Sequence, residues 1–375
     1  MLYKTIITLF RKTIFTPLET LLCNFFAKRF FNHNRNWMFL TGFILISIFL
    51  AAIIFVAFFY FTLDDLDINR DLKFGVTFIP RHATELELNW QETYLAVFDD
   101  LDVRRLRLVA YWNIIEKEKG VYDFSELDWL VGEAEKRSAK IILAIGMRVP
   151  GWPECHIPDW AKESLFSDDP FVRLQSEQAL LKYLRVIVDR YRDSSAIWAW
   201  QVENEPFLQF GECPISDKEF LSNEIKLVKT IDKRPIIITE SGEFGNWRKA
   251  APFGDILGTT LYRKIYYKRF GYINYHLSPS FYRLKSLLVK KWTRPDNIIV
   301  VELQSEPWVA DPPINKASME EQYITMNPEF FRDTLDYIRY TDFNEFYFWG
   351  AEWWYWMKQE GRPEIWDIAK GVFVE

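Results

Sequence analysis

Apolar positions along this chain fall into two regimes. Residues 36–63 carry no charge, and Trp37 to Phe61 (WMFLTGFILISIFLAAIIFVAFFYF) is apolar almost throughout. Wound as a helix, this run would reach about 37 Å, enough to cross a hydrocarbon layer of roughly 30 Å with some tilt. A cleaved secretory leader would show a shorter apolar run, about 7–15 residues, ending at a small-residue site. Here the run ends FFYFTLDD. The pattern predicts an uncleaved membrane anchor over 37–63.

From residue 73 onward, short β-branched runs alternate with stretches of helical period. Strands are predicted at 73–79, 104–111, 140–146, 196–204, 235–240, 255–262, 297–303 and 344–350, and clear helices at 125–138, 173–192 and 217–232. In the second helix Leu174, Leu180, Leu181, Leu184, Ile187 and Val188 form a stripe that faces a core. Alternation of this kind argues for a parallel sheet with crossover helices. Eight strands over about 300 residues match an α/β fold of the (β/α)8 TIM-barrel type. A doubly wound open sheet is the rival, but FGVTFIPRH at the first strand offers no glycine-rich phosphate loop. The expected organisation is a basic amphipathic segment (1–36), the anchor (37–63), a polar tether (64–72) and the barrel (73–375).

Charge orients this arrangement. Lys4, Arg11, Lys12, Lys28, Arg29 and Arg35 against Glu19 give +5 ahead of the anchor; the chain totals −6, which leaves −11 for residues 64–375. By the positive-inside rule the N-terminus is cytoplasmic, the protein is single-pass in the cell membrane, and the barrel is extracytoplasmic. An acidic outer domain argues against nucleic acid as a partner. Four histidines, His33, His82, His156 and His276, are scattered without metal-ligand spacing. No metal or cofactor is expected. Sixteen tryptophans exceed what a core needs. Trp152, Trp160, Trp247, Trp308, Trp353, Trp354 and Trp356 fall in or near strand-end loops, where flat apolar faces would suit sugar rings.

Functional side chains of such barrels gather at the C-terminal ends of the strands. Here those ends supply Arg107, Tyr111 and Trp112, then Asn204-Glu205-Pro206, Glu240, Tyr262, Glu302 and Trp349. Glu205 and Glu302 close two strongly apolar strands, IWAWQVENEP and NIIVVELQSEPW. Glycosidic cleavage needs two carboxyl groups on opposite sides of the anomeric carbon, and strands 4 and 7 project across the mouth. Other acids compete. Glu306, just before Pro307, should point into its loop, and Glu203 should alternate away from Glu205 toward a helix or a cation. Glu240 lines the cleft or stands by, and Arg104 and Arg105 read as solvated charges.

Residues 73–356 resemble the retaining glycoside hydrolases of clan A, the cellulase and β-galactosidase-like barrels. QVENEPF is similar to their strand-4 Asn-Glu and VVELQSEPW to their strand-7 Glu, while LRLVAYWNIIEKEKGVYDFSELDWLV resembles their second-strand segment. The resemblance implies Glu205 as acid/base and Glu302 as nucleophile. It implies Asn204 on the sugar 2-hydroxyl, Arg107 holding the nucleophile charged, Tyr262 orienting it and Trp349 flooring the site. One departure is Thr260, where clan members often carry His. The implied reaction is hydrolysis of a β-linked bond in an oligo- or polysaccharide with retention. A transglycosylase and a catalytically silent glycan-binding barrel are the alternatives. Cys155 and Cys213 lie in the neighbouring loops after strands 3 and 4, in a compartment that permits disulfides, and are predicted to pair. Cys23 would stay reduced on the cytoplasmic side.

Overall fold

The computed structural model describes residues 34–64, 71–214, 217–293, 295–311 and 313–374. They fall into two units that divide between Phe61 and Thr62. A single helix, Asn34–Asp64, makes up the described part of the first and continues past that division. Over Leu40–Ala57 its mean hydropathy is 2.8, with none of that window buried. A core helix would hide one face, whereas Phe43, Ile46, Phe49 and Ile54 are all well exposed. The helix is long and apolar enough to cross a membrane. The basic segment over 1–33 and the tether over 65–70 lie outside the described residues.

The second unit is a closed parallel barrel. Its strands are β1 (Lys73–Thr77), β2 (Arg105–Val109), β3 (Lys140–Ile145), β4 (Ile197–Val202), β5 (Ile236–Glu240), β6 (Ile256–Leu261), β7 (Asn297–Gln304) and β8 (Glu345–Trp349). They follow the ring in chain order, and β8 closes on β1 with Thr77 opposite Trp349. The three predicted helices form at Ser125–Lys136, Pro170–Tyr191 and Lys218–Ile231. An antiparallel hairpin, Lys264–Tyr267 with Gly271–Asn274, is an addition after β6 that the hydrophobic pattern did not signal.

Side-chain alternation builds two cores. Outward residues such as Leu106, Leu108, Trp200 and Val202 pack under the helices. Inward residues Ile142, Ala199, Ile237, Ile299, Val301 and Tyr347 fill the barrel floor. Nearer the strand ends, Ile79, Val109, Tyr111, Ala144 and Val149 pack with Trp349. Both inner layers are apolar, so the polar groups enclosed with them must satisfy one another.

β7 departs from simple alternation at the point that matters. Ile299 and Val301 face inward while Val300 and Leu303 face outward. Strict period two would send Glu302 outward. Pairing with β6 instead jumps from Thr259–Val300 to Thr260–Glu302, and pairing with β8 from Phe346–Val300 to Phe348–Leu303. This bulge turns Glu302 toward the barrel interior, a known use of an extra strand residue beside active sites.

The loops after β3 and β4 are joined by a Cys155–Cys213 disulfide with Cα atoms 5.3 Å apart, inside the usual span of about 4.4–6.8 Å. It closes a sequence separation of 58 residues. Replacing both cysteines by serine is expected to lower stability by about 2–4 kcal/mol. A shift of the denaturant midpoint at constant slope measures this, and reductant should reproduce it in the unaltered chain. An unchanged midpoint would mean the loops hold without the bond.

Candidate active site

β4 ends at Val202, and the chain then turns through left-handed residues, Glu203 at φ +58° and Glu205 at φ +43°. Such conformations cost a non-glycine residue on the order of 1–3 kcal/mol and persist where surrounding contacts fix them. Three successive side chains consequently leave in three directions. Glu203 turns toward the helix side, as alternation suggested, but its partners are not cations. Its carboxyl accepts the backbone N–H groups of Met147 (2.9 Å) and Arg148 (2.8 Å) and hydrogen-bonds Glu224 on helix Lys218–Ile231. Gly146, at φ +128°, leaves the space: a Cβ there would collide with the Glu203 carboxyl.

Asn204 is fixed by what its amide oxygen accepts. Arg107 Nη2 (2.8 Å), Gln201 Nε2 (3.1 Å) and Thr239 Oγ1 (3.1 Å) all donate to Oδ1. Its Nδ2 is left to donate elsewhere. Glu205 is held through its backbone N–H, which donates to Thr239 Oγ1 at 2.7 Å. Burial comes first, and the Glu302, Glu154 and Glu240 carboxyls second, in pushing Glu205 well above the usual carboxylate range.

Glu302 is treated differently. Arg107 Nη1 donates to its Oε1 at 2.8 Å, and the Tyr262 hydroxyl donates to its Oε2 at 3.2 Å. Arg107 has no exposed surface and spends its guanidinium on four acceptors, the other two being Gln201 Oε1 (2.8 Å) and the Val301 carbonyl (3.4 Å). One cation thus joins the ends of β4 and β7.

Several partners of this pair were not legible beforehand. Glu306 does not point into its loop: its Oε1 accepts from Trp349 Nε1 at 2.8 Å and its Oε2 meets His82 Nε2 at 2.7 Å. Burial opposes a charge on His82, but Glu306 and Glu85 outweigh it and raise the imidazole well above its ordinary value. Trp349 is therefore set in place by an acid–imidazole pair. Glu243, just past β5, accepts from the Tyr262 backbone N–H (2.7 Å), the Tyr282 hydroxyl (2.9 Å) and Thr260 Oγ1 (3.3 Å). That acceptor occupies the network in which Thr260 departs from the clan pattern. Glu240 is buried, with Ser241 N–H on one oxygen at 3.1 Å and, among the described residues, no partner on the other.

The aromatic expectation needs correcting. Trp247, Trp353 and Trp354 are core residues, with indole N–H groups donated to the Ser241 carbonyl, Gln322 Oε1 and the Ser305 carbonyl. Trp160 and Trp356 are half-buried. Trp152 remains exposed, edge-on to Phe210 with ring centres 5.9 Å apart, and Trp308 packs on Tyr262 at 5.4 Å.

A parallel eight-stranded barrel with Asn-Glu after β4, Glu on β7 and an arginine of β2 between them is the arrangement that the resemblance to clan A glycosidases implies. Comparisons with known proteins point to the same kind of barrel. Residues 77–233 match the Glyco_hydro_42 family model, described as beta-galactosidase. Beta-galactosidase BgaA of Clostridium cellulovorans is 25% identical over 198 residues, 49% of this chain and 30% of that protein. A probable mannan endo-1,4-beta-mannosidase A of Aspergillus flavus is 25% identical over 155 residues, 40% of this chain and 39% of that one. The matches thus span well under half the length of these relatives. Among solved structures, beta-galactosidase from psychrophilic Marinomonas ef1 has a TM-score of 0.51 at 13% identity, covering 74% of this chain and 54% of its own. Exo-beta-1,4-mannosidase Op5Man5 from Opitutaceae bacterium strain TAV5 has 0.50 at 15%, covering 75% and 52%. The solved structures share the barrel fold with this chain, and residues 77–233 are similar to the beta-galactosidase family.

The Glu203–Glu224 pair makes stability depend on pH. Burial, foremost, raises both carboxyls, Glu203 to about 7. The folded state therefore keeps a proton that the unfolded chain releases above about pH 4.5, so this contribution is full below that pH and is lost as pH rises through about 7. In Glu224→Gln the amide donates to Glu203 as the acid O–H did. The stability lost between pH 5 and pH 8 should then shrink by on the order of 2 kcal/mol, read from denaturation midpoints at both pH values. An identical loss in both proteins would show that the pair does not share a proton.

Proposed function

We propose that this chain is a membrane-anchored glycoside hydrolase that cleaves a β-linked sugar with retention, Glu205 acting as acid/base and Glu302 as nucleophile. One observation carries the reading: the two carboxyls are treated unequally. Glu302 receives a charge-assisted hydrogen bond from buried Arg107 and another from Tyr262. Glu205 receives neither, and its surroundings favour the protonated form. Pairs of carboxyls with opposed environments mark acid and nucleophile roles in glycoside hydrolysis. The names of the relatives, beta-galactosidase and mannan endo-1,4-beta-mannosidase, favour a β-galactoside or β-mannoside. Helix Asn34–Asp64 would hold the barrel at the membrane, with the basic N-terminus cytoplasmic and the barrel outside.

In this mechanism a Glu302 oxygen attacks the anomeric carbon while Glu205 gives its proton to the departing glycosidic oxygen. A glycosyl–Glu302 ester and a free alcohol result. Water then enters from the side the leaving group vacated, Glu205 takes its proton, and the ester C–O bond breaks. Two inversions leave the configuration as it began. The Asn204 Nδ2 donates to the 2-hydroxyl, a contact that strengthens as positive charge develops at the anomeric centre, and Trp349 supplies the flat floor.

The test uses the full chain in detergent and a panel of aryl β-glycosides, galacto, manno and gluco. Turnover of one of them should fall roughly 10³-fold or more in Glu302→Gln. Glu205→Gln should retain kcat/KM on a dinitrophenyl glycoside, which needs no protonation to leave, while its kcat falls because water has lost its base, and should lose about 10²-fold or more in kcat/KM on a phenyl glycoside. Proton NMR should show the β-anomer as first product. Turnover untouched by Glu302→Gln would sink the assignment, and no turnover on any member would leave an endo-enzyme that needs a longer glycan or a silent binding barrel.

A further inference from the structure

A third carboxyl faces this site that the reaction above does not employ. Glu154 stands in PGWPEC, the loop after β3, at φ +74°. Its backbone is held from several sides. Its N–H donates to the Gly151 carbonyl (2.7 Å), and its own carbonyl accepts from Val149 (2.9 Å). The next residue is bonded through sulfur to Cys213, and Glu212 N–H donates to the Pro153 carbonyl at 3.0 Å. Gly211, at φ +79°, lies against it so closely that an added Cβ would stand 2.6 Å from Glu154 Cβ. Two loops are locked together around one acidic residue.

That construction is not repaid by a structural contact of the acid itself. Among the described residues the Glu154 side chain makes one hydrogen bond, a long one of 3.5 Å from Asn204 Nδ2 to Oε2. A half-buried carboxyl with a single weak donor keeps acceptor capacity facing the mouth, and sugar hydroxyls are a natural complement. Its position is telling. Asn204 Nδ2 carries two hydrogens, and with its amide oxygen fully used by Arg107, Gln201 and Thr239, one hydrogen reaches Glu154 and the other is available to substrate. An acceptor on the other Asn204 Nδ2 hydrogen would stand about 5–6 Å from the Glu154 carboxyl, so a neighbouring hydroxyl of the same sugar comes within its reach. Burial, with the Glu302 charge next, raises Glu154 to about 7, so it can accept from a hydroxyl or, when protonated, donate to a sugar oxygen.

We propose that Glu154 is a substrate-binding carboxyl that hydrogen-bonds a hydroxyl of the sugar held by Asn204 and thereby helps set which sugar the site accepts. This rests on the glycosidase reading of the same mouth. Because a site built to hydrogen-bond a hydroxyl rejects analogues that lack it, such a residue discriminates among stereoisomers more sharply than an apolar wall.

The experiment pairs side-chain truncation with hydroxyl deletion in the full chain. Glu154→Ala and Glu154→Gln are assayed on the aryl β-glycoside that the unaltered chain turns over and on its monodeoxy analogues. Glu154→Ala should lose about 10–100-fold in kcat/KM on the parent glycoside. On the one analogue missing the recognised hydroxyl it should lose less than about 3-fold, since the partner is already gone. Glu154→Gln, which can still accept, should lie between. An equal loss on the parent and every analogue would mean that Glu154 only supports its loop, and the proposal falls. If the unaltered chain hydrolyses nothing, binding of lactose, cellobiose and β-1,4-mannobiose is followed by tryptophan fluorescence. Weaker binding by Glu154→Ala then supports the proposal while hydrolysis is abandoned. Binding that the substitution leaves unchanged, or no binding by the unaltered chain, overturns it.

Discussion

The site depends on a guanidinium that has no access to water. Arg107 rises from β2 above a floor of Ile142, Ala199, Ile299 and Val301, and a cation in that position is tolerated only if every donor is met. Its donors reach Gln201 and Asn204 on the β4 side and Glu302 and Val301 on the β7 side. The two strands therefore cannot adjust independently. Removing any one of these acceptors would strand part of a buried charge, and removing Arg107 would leave Glu302 facing Tyr262 alone. The same contacts that make the cation tolerable place the amide and the carboxyl at opposite sides of the mouth.

Holding those partners against Arg107 requires the backbone to break its own regularity twice. At β7 a bulge inserts one residue so that Glu302 joins Val301 on the inside. Beyond β4 two left-handed glutamates let Asn204 face the cation while Glu203 turns toward Glu224 and Glu205 stays in the mouth. Both irregularities lie in backbone tied to neighbouring elements. Thr239 on β5 holds the Asn204 amide and the Glu205 N–H together, and the β3 loop supplies N–H groups to Glu203. Strain at these positions is local, and its compensation comes from strands on either side.

This division explains which parts were legible in the sequence. Strands such as KIILAI and IWAWQV declare themselves because a parallel strand buried on both faces is a run of β-branched and aromatic residues. Glu205 and Glu302 could be singled out because barrel chemistry collects at strand ends. That Glu302 faces inward could not be read from period two, which predicts the opposite; only the family resemblance pointed there, and the bulge is the physical reason. His82 and Glu306 meet across 224 positions of sequence, a distance over which no local pattern carries information. Trp353 and Trp354 differ from Trp152 only in what packs over them, so composition gave the number of indoles and nothing of their burial. Glu154 escaped notice because its environment is assembled by a second loop, through Gly211 and Cys213.

The carboxyls of the mouth act on one another. Glu154, Glu240 and Glu302 act on Glu205 through space, and Arg107, Arg148, Lys249 and Lys285 are cations that act on members of this group. Burial disfavours the charged form of Glu154, Glu205 and Glu240, all pushed upward, while Arg107 gives its hydrogen bond to Glu302. A proton shared within such a group belongs to the set rather than to one member. A sugar that hydrogen-bonds Glu154 would change the set's preference at the moment of binding. The carboxyls of the β3 loop and of the turn after β4 are in that sense one electrostatic system, with Arg107 as its fixed point.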